Sequence, residues 1–238
     1  MASVAGILAG LKKKGKEQYK AIYSRHGIPP ERSFGVLTSE LKKIAKTIKG
    51  EQRLAMELYG TGKMEAMYLA GLVADGAKMT KQELRVWAAG SHGMPLIAEY
   101  TLPWVAAESP AGRGLAKEWI ASKEEGVASA GWCSYVGVMA TTRDEQLDLN
   151  EIQTLLRKAV KEVHGAKNRV KYTMNGFVIG VGTYVKPLLK EAKAAAKEIG
   201  EVTVDMGETE CKVPLATEYI AKAEKMGRVG KKKKTMKC

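Results

Sequence analysis

The sequence predicts an all-α chain arranged as a solenoid of stacked antiparallel helix pairs. Three observations lead there. Apolar residues recur at helical spacing along most of the chain, with short Gly, Pro or Ser/Thr breaks between runs. Strand-type alternation is scarce. About a dozen helical segments of roughly ten to sixteen residues, joined by connections of a few residues, suit pairs that bury one face each against their neighbours. Identity between successive units is too weak to define a repeat.

The elements follow in order. The apolar stretch 1–11 precedes Lys12, Lys13 and Lys14, the reverse of a secretory signal, and reads as an amphipathic first helix. Residues 12–25 form a basic helical stretch, ended by His26-Gly27-Ile28-Pro29-Pro30. Thr38 and Ser39 can cap a helix over 41–48. Helices over 51–59 and 63–74 stop at Gly60 and Gly76. Thr80 and Glu83 fit a capping box for a helix that ends near Gly90.

Helices are expected over 95–107 and up to 122, the latter opened by Ser109 with Pro110 at its first position. Residues 126–139 are apolar nearly all round, which places them in the interior. Three further helices fall over 150–164, 168–182 and 184–199. Residues 201–207 alternate briefly, as a short strand or an extended loop. A last helix covers 215–225. The chain thus reads as one helical domain over 1–225 and a basic, flexible tail over 226–238.

The formal charge is +13 over 238 residues. Arg228, Lys231, Lys232, Lys233, Lys234 and Lys237 supply six cations to a tail without acids, which leaves +7 on the body. A basic body and a basic tail favour an anionic partner, of which nucleic acid is the commonest. No run is long and apolar enough to span a bilayer. Cys133, Cys211 and Cys238 are few, odd in number and unpatterned, as in a reduced cytoplasmic protein.

Chemistry is sparse. His26, His92 and His164 lack partners at ligand spacing, so neither metal nor cofactor is expected. Gly176, Gly180 and Gly182 do not have dinucleotide-fingerprint spacing. Cys133 and Ser134 have no histidine near them in sequence to activate either. Glu99 follows a helix start at 92–95 and lies beside Tyr100, with Trp104 about a turn on. A carboxylate among aromatics can stabilise a cation or activate water; it can equally be a surface glutamate next to a core tryptophan. Trp119 and Trp132 read as core anchors.

Segment 168–182 is the most informative. Val170, Met174, Phe177, Val178 and Val181 make an apolar stripe. Arg169, Tyr172, Thr173, Gly176 and Gly180 make the other, cationic at its start and nearly bare further on. Glycine costs about 1 kcal/mol relative to alanine inside a helix. Something bulky must approach this backbone, either a neighbouring helix or a polyanion. Tyr172 beside Arg169 is the best candidate for stacking on a base.

With His26-Gly27-Ile28 leading into Leu37-Thr38-Ser39-Glu40-Leu41-Lys42-Lys43-Ile44-Ala45-Lys46, with Trp119-Ile120-Ala121-Ser122 before an apolar helix, and with the segment 168–184, the chain resembles the AlkD-like DNA alkylation repair proteins. The resemblance runs from about Lys16 through about Ile199. It implies a curved solenoid of HEAT-like repeats with a concave basic groove, lined by the inner helix of each pair, in which DNA is held through its backbone. In the glycosylases of that group an aspartate and two tryptophans cradle the damaged nucleotide, and an arginine contacts the backbone. Here the matching positions fall on Ser91 to Ile97, which holds neither Asp nor Trp, on Ser129 or Ala130, and near Ile179. None of the four residues carries over.

Glu99, slightly further along the same helix, is the candidate replacement carboxylate. It would act by stabilising the sugar cation of an alkylpurine nucleotide. Candidate DNA contacts are Arg169, Lys171, Tyr172 and Asn175, then Lys186 and Lys190, with Lys231, Lys232, Lys233 and Lys234 adding affinity without sequence preference. Asn168 is expected to cap its helix while Arg169 reaches outward. The expected protein is a monomer that binds double-stranded DNA, found in the cytoplasm and on the nucleoid when bound. Its three readings are an alkylpurine glycosylase, a non-enzymatic binder of nucleic-acid structures, and a peptide-binding solenoid.

Overall fold

The computed structural model describes residues 2–237, and among them the secondary structure is entirely helical. The α-helices are α1 (Val4–Lys14), α2 (Glu17–Arg25), α3 (Thr38–Thr47), α4 (Gln52–Gly60), α5 (Met64–Val73), α6 (Lys81–Gly90), α7 (Leu102–Glu108), α8 (Gly112–Ile120), α9 (Glu125–Thr141), α10 (Leu149–Glu162), α11 (Asn168–Tyr184), α12 (Leu189–Ile199) and α13 (Ala216–Lys225). Helices α5, α7, α9 and α11 each touch the next and form one layer, which α13 extends. Helices α4, α6, α8, α10 and α12 pack against that layer. This is the stacked-pair solenoid that the periodicity predicts.

The core has two parts that meet at α8 and α9. Trp87, Trp104 and Trp119 belong to the first, and Trp132 and Phe177 to the second. Trp132 and Phe177 meet edge to face with ring centroids 4.9 Å apart, and both are fully buried. Each such side chain contributes roughly 1.5–3 kcal/mol by burial. The all-round apolar pattern of α9 is explained by its place between α7, α8 and α11. Trp119 and Trp132 are core residues, as expected.

Local differences from the sequence reading have identifiable causes. The basic stretch 12–25 is two helices, broken at Gly15, whose backbone passes against the Phe34 carbonyl. The Thr80–Glu83 capping box is present. Ser109 accepts a hydrogen bond from the Ala111 amide at 3.2 Å, but α8 begins only at Gly112. Helix α12 begins at Leu189 rather than Tyr184, after a 3-10 turn containing Pro187. Residues 201–207 are extended and pair with no strand.

The helix expected over 95–107 carries a π-helical turn, Ile97–Thr101, before α7. Pro103 explains it. Proline has no N–H to give to the carbonyl four residues back, that of Glu99, and its ring crowds that carbonyl. The Leu102 amide reaches back to Ile97 instead, five residues away, and the turn opens.

The basic tail, expected to hang free, lies along the body. Its contacts include the Gly230 amide to the Thr183 carbonyl at 2.9 Å and the Lys233 amide to the Ala140 carbonyl at 2.7 Å. Composition records charge but not the carbonyls available to receive it.

Candidate nucleic-acid interface

The π turn sets Glu99 against the start of α11. There the carboxylate receives two hydrogen bonds from Arg169, Nε to Oε1 at 2.7 Å and Nη2 to Oε2 at 2.5 Å. The Glu99 side chain is 3% exposed and that of Arg169 is 23%. Burial pushes the Glu99 carboxyl above the usual carboxylate range, against the pull of the guanidinium. The guanidinium also lies 4.6 Å from the centroid of the Tyr172 ring, and Nη1 donates to the Met206 sulfur at 3.7 Å. Arg169 is therefore held on three sides. It does not reach outward as the sequence suggests, because Glu99 is its partner.

The start of α11 is built by other residues as well. The Arg169 amide donates to Glu125 Oε1 at 2.7 Å, so a carboxylate from α9 satisfies the free helix end. Asn168, expected as a cap, does something else. Its side-chain amide donates to the Asp205 carbonyl and accepts from the Asp205 amide, both at 2.7 Å. This pair fastens the extended segment 201–207 across the start of α11. Gly207, with φ +64, turns that segment close to the Arg25 carbonyl at the end of α2.

These elements enclose a hollow of about 560 Å³. Its walls come from the end of α2 (Tyr23, His26, Ile28), the π turn (Leu96, Glu99, Tyr100), the start of α11 (Arg169, Tyr172) and the segment 205–211. Glu99, Arg169 and Tyr172 thus face one cavity. Tyr100 is 46% exposed and offers its ring at the rim. Burial, then the Glu99 charge, raises the Tyr172 phenol; burial, then Tyr172 and Glu99, raises that of Tyr100. Both stay neutral hydrogen-bonding and stacking groups. The Cys133 thiol is pushed up by burial and by the Glu99 charge, which makes it a poor nucleophile.

The other sequence candidates separate. Lys171 is half-buried, one residue from the Arg169–Tyr172 pair. Asn175 is fully buried and donates to the Pro214 carbonyl at 2.7 Å, so it cannot meet DNA. The glycine stripe also divides. A Cβ at Gly180 would meet the Val136 side chain at 3.0 Å, and one at Gly182 the Ile220 side chain at 2.7 Å, whereas Gly176 faces open space. Neighbouring helices α9 and α13, not a polyanion, account for Gly180 and Gly182.

Lys186 and Lys190 are exposed beyond the far end of α11, where the tail passes against Lys186 at Gly230. Arg169 and Tyr184 are fifteen residues apart, which puts the two groups about 22 Å from each other along the helix. Lys232 is half-buried, while Lys231, Lys233 and Lys234 are exposed. The sequence reading missed His26, Leu96, Asp205 and Met206 as walls of the hollow. The pairings of Glu99 with Tyr100 and of Arg169 with Tyr172 hinted at it.

A family model described as DNA alkylation repair enzyme matches residues 7–198. The chain belongs to the DNA alkylation repair enzyme family. Two relatives in that range of similarity, uncharacterised proteins of Listeria innocua and Listeria monocytogenes, are each 31% identical over 205 residues, covering 85% of this chain and 88% of theirs. A solved structure described as a new family of proteins related to the HEAT-like repeat DNA glycosylases with affinity for branched DNA structures superposes with a TM-score of 0.89 at 34% identity, covering all of both chains. This member of the DNA alkylation repair family is accordingly a HEAT-like solenoid. Among its described residues no helix is long and apolar enough to cross a membrane.

Proposed function

We propose that this protein binds DNA through its backbone, favours branched structures, and leaves the glycosidic bond intact. One observation carries the second half of that reading. Stabilising a sugar cation requires a carboxylate whose charge is free to face it. Both oxygens of Glu99 are taken by Arg169, which neutralises the pair, and the hollow is otherwise lined by Tyr100 and Tyr172 together with the exposed His26, Asp205 and Cys211. The aspartate and tryptophans of the glycosylases have no counterparts at the matching positions.

Family membership, a net charge of +13 and the branched-DNA affinity in the description of the 34% identical structure support the first half. Tyrosine rings at the mouth of a hollow suit bases that are already unstacked, as at a branch point, because stacking on an aromatic ring needs an open base face. Arg169 and Glu99 then serve to hold Tyr172 in place.

The test pairs two measurements. N-methylated purine DNA is incubated with the protein and analysed for freed base by mass spectrometry, and four-way junctions are compared with linear duplexes over a salt series. The expected result is no freed base, tighter binding to junctions, and a steep fall in affinity with salt. Freed base at rates above the DNA-only control would overturn the non-catalytic reading. Equal affinity for junction and duplex would overturn the structural preference.

A further inference from the structure

The tail crosses the molecule along one margin of the layer formed by α5, α7, α9 and α11, and it does so over helix ends. Lys232 Nζ donates to the carbonyls of Met139 at 2.8 Å and Tyr184 at 2.7 Å, and pairs with Asp144 at 2.7 Å. Thr235 donates to Glu108 at 2.7 Å. Lys237 Nζ reaches the Ala74 carbonyl and pairs with Glu108 at 2.9 Å. Ala74, Glu108, Ala140 and Tyr184 stand at the C-terminal ends of α5, α7, α9 and α11. The carbonyls of a helix's last turn have no partner within the helix, and each such end carries about half a negative charge. A cationic strap fits that margin.

The charge balance leaves a surplus. Four helix ends amount to about −2, and Asp144 and Glu108 bring the margin to about −4. The tail sets six cations against it. Lys232 and Lys237 take up both acids, so among the described residues Lys231, Lys233 and Lys234 have no acidic partner. They stand exposed on a backbone fixed by its neighbours, beside Lys186, whose side chain packs against Gly230. Cations on an ordered backbone lose less freedom on binding than cations on a free tail.

We propose that this strap is a second phosphate-binding edge, which takes one arm of a branched DNA through Lys231, Lys233 and Lys234 while the hollow at the other end of α11 takes the branch point. The proposal rests on the branched-DNA reading above. Between the two sites α11 is covered by α9, α12 and α13, and no cation lies on it between Lys171 and Lys186. A straight duplex seated at one site finds no continuous basic track along α11 to the other. A branched molecule places a separate element at each.

Lys231→Gln, Lys233→Gln and Lys234→Gln are combined and measured on a four-way junction and on a linear duplex of equal length, across a salt series. Junction affinity is expected to fall about tenfold at fixed salt, with the log–log salt slope reduced by about 2–3, and duplex affinity to fall much less. No loss on the junction, or equal loss on both, overturns the proposal. In a second variant, Lys232→Gln, an anchor is removed but the exposed row is kept. Faster hydrogen exchange at 230–237 together with loss of junction preference is expected; faster exchange with that preference unchanged overturns it. If the parent protein itself does not prefer the junction, the failure is that of the branched-DNA reading and not of the strap alone.

Discussion

Glu99 and Arg169, seventy residues apart in sequence, close a buried bidentate ion pair between the π turn and the first turn of α11. The pair ties the first core to the second and stands behind the hollow. Removing one partner from a buried pair costs more than the pair itself contributes, because the other charge is stranded.

Arg169→Met is therefore expected to destabilise the protein by about 3–5 kcal/mol at neutral pH, measured by urea unfolding. Glu99 is already raised by burial, and without the guanidinium it rises further. A carboxyl with a raised folded value contributes stability that is lost as pH rises through that value. The deficit of the variant should then narrow as pH falls through that raised value toward the ordinary carboxylate range, and change no further below it. A deficit independent of pH would show that the charge of Glu99 is not what the substitution strands.

Glu151 responds in the opposite sense. Burial opposes its ionisation, yet hydrogen bonds from Arg113, Lys117 and Tyr135 hold it at about 2, below its ordinary 4.5. A depressed carboxyl contributes stability that is present above its unfolded value and lost as pH falls toward its folded one. The parent should lose on the order of 2 kcal/mol between pH 4.5 and about 2 through this group. Glu151→Gln should be less stable at neutral pH and flatter across that window. Parallel acid-unfolding curves for the two proteins would refute this.

Glu65 is fully buried and accepts from the Ser33 hydroxyl and the amides of Phe34, Gly35 and Val36. It holds the connection between α2 and α3 with a single carboxylate. Glu65→Ala leaves those donors without a partner, and a loss of about 3 kcal/mol or more is expected. Glu65→Gln should lose less. Thermal melting of the two variants decides whether the order is as stated.

Asn168→Ala breaks both hydrogen bonds to Asp205 and should cost about 1–2 kcal/mol. The loss should be local. Hydrogen exchange ought to quicken over 201–207 while α9 keeps its protection; uniform quickening would mean that the segment is part of the global fold rather than a wall of the hollow.

The helical fold was legible because each element carries its own periodicity and many carry their own ends, such as Thr80 with Glu83. Glu99, Arg169 and Tyr172 were each singled out for their side chains, but their meeting was not visible, since helical phase gives no information across seventy residues. The π turn had a readable cause in Pro103. Asn168 was misassigned because an asparagine at a helix start has two uses, and the choice depends on Asp205 nearby. The seat of the tail was not legible for a comparable reason: the four helix ends that provide it line up only in three dimensions.

The layer of α5, α7, α9 and α11 is fastened at both margins, by the Glu99–Arg169 pair at one and by residues 230–237 at the other. Spreading either margin would have to break the contacts that fasten it. For the proposed DNA partner, the nucleic acid has to supply the deformation. Smoothly bending a short duplex by 40–90° costs on the order of 1–6 kcal/mol, and a branch point, whose arms already diverge, arrives with that work done.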